Sequence, residues 1–485
     1  MNYIASYYKG DNLRKIAVVP LKELTSIDEV DAVFKSNSNA VLFVLPLPPY
    51  SDSFSSFIDS LQSFLSEQTL YIPVYFSYES KEINEIISEL KTQYKVSDGQ
   101  QSKTLFDTLG LTKNYLHFSL NIKDPKKHDA LHLENFSGFL EVGNANGAPN
   151  PVIAIVTYYD SFGVVSDLPS GMNSNGSGII AMMELIRILS KYYENYENVI
   201  KYDILFVMTS AGNLNFEGTK AFLKSLEPSV SENLQYVLCI DSIASLNEND
   251  LYLHLSRFPK EHEDTPLKLY TIFNKTSENM DFNLHYLKKK VFLANKVVPW
   301  EHEQFSKEKI IAATLSSVKT HFESNFNRTL MTDVALNTTL LKRNIKFIAE
   351  SILAFLFDYG IDGFAVFEGD DKLIDERNIE SSIDYLKKVP RFPLSIEKGS
   401  SFNNDIYNFF NTYLQKVKRQ PFEYNETKFY DNNSGEIKIY SVKSKMIDLY
   451  LLRTIFVYLL VLYVYTKGLK NFIIGVKNAF TSEDE

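Results

Sequence analysis

Along this chain, uninterrupted apolar runs alternate with segments whose apolar residues recur every three or four positions, the patterns of buried strands and amphipathic helices. Ala40 to Pro46 (AVLFVLP) is one such run, closed by Pro48-Pro49. Ser51 to Ser66 follows with Phe54, Phe57, Ile58, Leu61, Phe64 and Leu65 at helical spacing. Leu70 to Phe76 predicts the next strand, and Ile83, Ile86, Ile87 and Leu90 predict another helix. A second series begins with strand Val152 to Tyr158. A helix over Ser177 to Ser190, apolar almost all round, comes next. Strands Asp203 to Thr209 and Tyr236 to Ile240 flank a helix near Gly218 to Leu226. This β-α-β-α-β order predicts an α/β fold with a mainly parallel sheet covered on both faces. Leu340 to Phe357 reads as a long helix stopped at Gly360, and Asp405 to Val417 as an amphipathic one.

The pattern divides the chain into an N-terminal α/β lobe (1–125), a second α/β domain (126–360), a polar extension (361–445), an apolar span (446–466) and a short tail (467–485). The span reads MIDLYLLRTIFVYLLVLYVYT, about the length that a bilayer core demands. Tyr450, Tyr463 and Tyr465 suit the interfacial belt, and Lys467, Lys470 and Lys477 slightly favour a cytosolic C-terminus over Lys443 and Lys445 before it. Asp448 and Arg453 in its first third are costly in lipid unless partnered, as they would be where the span contacts other helices. Met1 to Lys15 carries charges and lacks the apolar core of a signal peptide. Read as written, the lone span also permits insertion as a tail anchor with the folded domain in the cytosol.

Composition narrows the chemistry. With 50 basic against 60 acidic residues and no basic stripe, nucleic acid is an unsuitable partner. The single cysteine, Cys239, excludes an internal disulfide and Cys-based metal sites, and reads as a buried hydrophobe in a core strand. His302-Glu303 is not followed by His at the spacing of a zinc-binding helix, so Trp300 to Phe305 reads as a packing and hydrogen-bonding element. No Gly-x-Ser-x-Gly elbow and no phosphate-binding glycine loop occur.

A cocatalytic zinc aminopeptidase places His-x-Asp, Gly-x-x-Asp-Asn-x-Ser-Gly and a Glu-Glu pair at the C-terminal ends of parallel strands. This chain has Tyr158-Tyr159-Asp160, Gly171-Met172-Asn173-Ser174-Asn175-Gly176-Ser177-Gly178 and Gly212-Asn213 at the corresponding places. A neutral phenol is a poor zinc ligand, a serine hydroxyl cannot neutralise two dications, and neither Gly nor Asn can act as a general base. Asp241 matches a ligand Asp at a strand end, and Asp160 survives as a supporting carboxylate. No His falls in Asn327 to Asp333, where a last ligand is expected. Tyr158, Asp160, Ser174, Gly212, Asn213 and Asp241 are therefore expected to form a vestigial pocket, with no catalytic or metal-binding residue and no cofactor.

On Tyr159-Asp160-Ser161-Phe162-Gly163-Val164, Ser174-Asn175-Gly176-Ser177-Gly178, Asn215 to Lys220, Val237 to Asp241, Trp300 to Phe305 and the C-terminal span, the chain resembles the nicalin family, relatives of nicastrin. Tyr158 departs from it, since relatives can keep His there. The resemblance implies a catalytically dead scaffold with an aminopeptidase-like lumenal domain, one transmembrane helix in the endoplasmic reticulum and lipid around it. It further implies partnership with nodal modulator and a small multipass membrane protein, at the translocon that handles multipass proteins. A peptide-binding pocket and an active metallo-aminopeptidase with altered ligands are the competing readings. Sequons at Asn135, Asn274, Asn327, Asn337, Asn425 and Asn432 are glycosylation candidates, whereas Asn175 lies in the tight pocket loop and is expected unmodified.

Overall fold

The computed structural model describes residues 2–7, 15–36, 38–97, 114–121, 126–143, 149–163, 171–196, 199–246, 248–320, 331–358, 374–430, 435–443, 445–468, 470 and 473–474. They fall into two compact units, one of residues 1–47, 69–123 and 434–485, the other of 48–68 and 124–433.

The first unit holds a six-stranded sheet. Strands β1 (Asn2–Tyr7), β2 (Lys15–Pro20), β3 (Ala40–Leu45) and β4 (Val74–Tyr78) run parallel. Strand β5 (Asn114–Asn121) is antiparallel to β1. Helices α1 (Ile27–Lys35) and α3 (Lys81–Ser97) belong to this unit, and Ile87 and Leu90 of α3 bury against Ile16, Val18, Ala40, Leu42 and Val44. Strand β4 starts later than the predicted Leu70, because Pro73 has no N–H to enter the ladder; its carbonyl accepts the Val41 N–H instead. Helix α2 (Asp52–Glu67) belongs to the second unit, and the Ser51 hydroxyl caps it by accepting the Phe54 N–H at 3.2 Å.

The second unit is built on an eight-stranded sheet. Its centre is four parallel strands, β13 (Ala312–Ser316), β10 (Leu234–Ile240), β8 (Val152–Tyr158) and β9 (Asp203–Thr209). Along β8 the apolar run is continuous because both faces are covered. Val152, Ala154 and Val156 face one cluster with Phe222 and Phe305, whereas Ile153 and Ile155 face the large core with Leu185 and Ile348. Cys239 is buried in β10, and burial pushes its thiol well above its usual range. One edge carries β11 (Leu251–Leu255) and β12 (Leu284–Lys288), the other β7 (Leu131–Leu140) and β14 (Gln415–Tyr424). A further two-stranded pair joins β6 (Lys127–His128) to β15 (Phe429–Tyr430).

Helices α4 (Gly178–Tyr196), α7 (Asp264–Asn279) and α9 (Thr338–Leu356) contribute to the large core. The opposite face carries α5 (Glu217–Ser225) and α8 (His302–Lys307), with short α6 (Pro228–Asn233) between the strands. Helices α10 (Glu376–Lys388) and α11 (Ser401–Tyr413) add Ile379, Leu386, Ile406 and Phe410 to the large core.

The stretch set apart as a polar extension is divided between the sheets. Strand β14 pairs with β7 in the second unit, and β16 (Glu436–Lys443) pairs with β5 in the first. The helix expected over Asp405 to Val417 is displaced: α11 starts behind the Ser400 cap, and Leu414 turns to extended backbone at φ −116° and ψ 157°. Val417 is therefore a strand residue, packed near Gly138. Gly360 lies outside the described residues. Near the C-terminus, α12 (Lys445–Lys467) contains Ile447–Thr466, long and apolar enough to cross a membrane and entirely unburied.

Leu185→Ala, which removes a fully buried side chain from the largest cluster, is expected to lower stability by about 2–5 kcal/mol, read as a fall in the unfolding midpoint.

Candidate functional site

In the second unit, loops converge at the C-terminal ends of β8, β9 and β10, where a parallel sheet opens its crevice. Tyr158 is the last residue of β8 and is fully buried. Its phenol donates to Asp241 Oδ1 at 2.9 Å and lies 3.1 Å from Ser174 Oγ. Ser242 Oγ donates to the same Asp241 oxygen at 2.8 Å. The Tyr158 ring meets Phe216 edge-on, with centroids 5.9 Å apart, and Val298 completes this small apolar cluster.

Gly212 explains how so large a side chain is accommodated. A Cβ at this position would lie 2.2 Å from Cγ of the Tyr158 ring, so only glycine permits the approach. The Gly212 N–H donates to Asp160 Oδ1 at 2.7 Å, and the Asn213 N–H to Oδ2 at 3.3 Å. Asn213 Nδ2 reaches the Asp160 carbonyl at 3.2 Å. Burial raises the Asp160 carboxyl above the usual range, while these N–H bonds pull it back down. The six residues singled out by sequence thus meet in one buried cluster, with Tyr158 bridging its two halves.

The residues present do not fit a pair of zinc ions. The Tyr158 ring fills the space between Asp241 and Gly212, and Asp160 is engaged by backbone N–H groups. Among the described residues, no group of three or more His, Cys, Asp or Glu is placed to hold a metal ion.

Several residues of the cleft were not anticipated. Asn175 Oδ1 accepts the N–H groups of Gly178 (3.2 Å) and Ser242 (3.0 Å), and its Nδ2 donates to Thr157 Oγ1 at 2.7 Å and Ile240 O at 3.0 Å. It ties helix α4 to the ends of two strands. Asp333 stands in the segment where a His was sought, and its two oxygens accept the Asn173 and Ser174 N–H groups, each at 2.8 Å. Arg391, buried at 1% exposure, donates to Gly171 O at 2.7 Å and Tyr159 O at 3.2 Å, and desolvation depresses it to about 10. It comes from the stretch read as a polar extension, more than 200 residues away, so no local signal marked it. Non-glycine residues with positive φ surround the cleft: Ala211 (56°), Asn215 (60°), Phe216 (55°) and Ser242 (55°). Such backbone is held only where its surroundings over-determine it.

The element Trp300 to Phe305 is buried below. Glu301 Oε1 accepts from Thr209 Oγ1 at 2.8 Å and Thr219 Oγ1 at 2.7 Å, and burial pushes its carboxyl up to about 7. The glycosylation candidates separate by exposure. Asn135 is corrected: it is 1% exposed, and its Nδ2 donates to Gly218 O at 2.8 Å, leaving no room for a glycan. Asn274 and Asn425 are exposed, Asn337 is half-buried and caps α9, and Asn327 and Asn432 lie outside the described residues. Asn175 is fully buried.

Fold and cleft together define an aminopeptidase-like domain in which the Tyr158 ring fills the space between Asp241 and Gly212. Peptidase family M28 matches residues 141–326. The "BOS complex subunit ncln" of Danio rerio is 28% identical over 479 residues, covering 90% of this chain and 81% of that protein. The "BOS complex subunit NCLN" of Homo sapiens is 27% identical, covering 90% and 80%. The crystal structure of the gamma-secretase component nicastrin shares the fold at a TM-score of 0.56 and 10% identity, over 91% of this chain and 95% of that one. The resemblance to the nicalins read from the motifs is borne out.

Tyr158→Phe leaves Asp241 without its phenolic donor and is expected to cost about 1.5–3 kcal/mol in denaturant unfolding. Glu301 has its carboxyl raised from 4.5 to about 7, so the folded state binds the extra proton and loses stability as pH rises through this window. Glu301→Gln should match the parent at pH 5 and exceed it at pH 8, by on the order of 3 kcal/mol, in unfolding measured at both pH values.

Proposed function

We propose that this protein is a non-catalytic, membrane-anchored scaffold subunit of an endoplasmic reticulum complex of the kind named for its relatives, with its folded part in the lumen. The reading is carried by Tyr158, whose ring and hydroxyl occupy the place where a hydrolytic metal centre would act. What remains is a rigid α/β body whose crevice is closed by its own side chains. The unburied apolar helix Ile447–Thr466 supplies the anchor, and its exposed Asp448 and Arg453 favour pairing with other helices in lipid. Nodal modulator, a small multipass membrane protein and the translocon for multipass proteins are the proposed partners.

Affinity purification of the tagged full chain from mild detergent is expected to recover these partners, and zinc analysis and aminoacyl-amide hydrolysis of the same material to give neither stoichiometric metal nor turnover. Recovery without any of them would undo the complex assignment. Bound zinc with turnover abolished by Asp241→Ala would instead establish a peptidase. A mobility shift on glycosidase treatment, reduced by Asn425→Gln, reports the lumenal side.

A further inference from the structure

A recess of about 100 Å³ lies away from the cleft just described, beyond the ends of β11 and β12. It has room for about three waters at the ~30 Å³ each takes in the liquid, the scale of one tetrahedral oxyanion. Its walls are His254, Leu255, Leu287, Trp300 and His302, and its charged groups are Lys288, Lys289, Lys319 and Glu303. Glu303 is 5% exposed, and its Oε1 has no hydrogen-bond partner among the described residues. Lys289 and Lys319 are exposed, and neither makes an ion pair within 4.0 Å among the described residues. Lys288 Nζ sits over the Phe258 ring, 5.8 Å from its centroid.

We propose that this recess binds a phosphate group that still carries a proton, supplied as a free phosphate or monoester or as a lipid headgroup. Lysines at the rim meet the negative oxygens, and Glu303 takes a hydrogen bond from the P–OH. A bare carboxylate repels an anion without a proton, such as sulfate, so Glu303 makes the site selective. The groups facing Glu303 support this exchange. His302 is neutral, depressed to about 3 by burial, and its Nδ1 lies 2.8 Å from Thr314 Oγ1. His254 stacks on Trp300 with ring centroids 4.0 Å apart and donates from Nε2 to Val318 O. Burial raises the Glu303 carboxyl to about 7, and only Lys289 and Lys307 oppose that rise. Phe292 and Leu293, 59% and 76% exposed, follow Lys288, Lys289 and Lys290 after one intervening residue, Val291.

The test is titration of the detergent-solubilised full chain with inorganic phosphate and with sulfate at about pH 8, where the Glu303 carboxyl is ionised and inorganic phosphate keeps one proton, followed by calorimetry. Phosphate should bind at least about tenfold more tightly than sulfate. Lys289→Ala with Lys319→Ala should weaken phosphate by about tenfold, and both sites are exposed, so folding is preserved. Glu303→Gln should bring the two anions within about twofold of each other. Equal affinities in the parent protein, no phosphate binding, or phosphate binding untouched by loss of the lysines overturns the site. Displacement of phosphate by dihexanoyl phosphatidic acid at a concentration about tenfold below that of glycerol 3-phosphate identifies a lipid headgroup, with Phe292 and Leu293 taking the chains. Equal displacement identifies a soluble phosphate ester.

Discussion

The Tyr158 hydroxyl bonded to Asp241 is the contact on which the candidate site is organised. It does two things at once. It donates to the buried Asp241 carboxyl, alongside Ser242, and it fills the space beside it with a neutral ring. A charged group stripped of water is tolerable only when hydrogen-bonded. A donor of the right length is therefore needed beside Asp241. Tyrosine from the end of β8 reaches the aspartate after β10, and glycine at position 212 clears its path.

Around this contact the loops are held by long-range polar contacts. Asn175 joins α4 to two strand ends, Asp333 clamps the Asn173–Ser174 backbone, and Arg391 collects two carbonyls of neighbouring loops. The four left-handed residues beside the cleft are backbone of the sort usually kept for chemistry. Here the same backbone is held by the packing and hydrogen bonds around it.

Two displaced titratable groups near the cleft have structural causes. Glu301 beneath the sheet and Arg391 beside the cleft are shifted chiefly by desolvation, each with hydrogen bonds to neutral partners. Glu303 differs in lining an open recess with lysines at its rim. Burial alone does not separate a structural acid from a binding one; what distinguishes Glu303 is the space beside it.

By itself the sequence determined the sheet-forming runs, because strands covered on both faces must be apolar throughout, and Val152–Tyr158 and Asp203–Thr209 lie where their patterns put them. It also determined which residue types occupy the strand ends, Tyr158 at the end of β8 and Asp241 after β10. Helix ends were legible only to within a few residues, as at α11, where a change of backbone at Leu414 rather than any change in hydrophobicity ends the helix. Only the tertiary structure decided that Tyr158 turns inward onto Asp241, that Asn135 is buried, that β14 and β16 complete two different sheets, and that Arg391 and Asp333 hold the cleft. Those contacts join residues tens to hundreds of positions apart, and neither periodicity nor composition encodes pairing at that range.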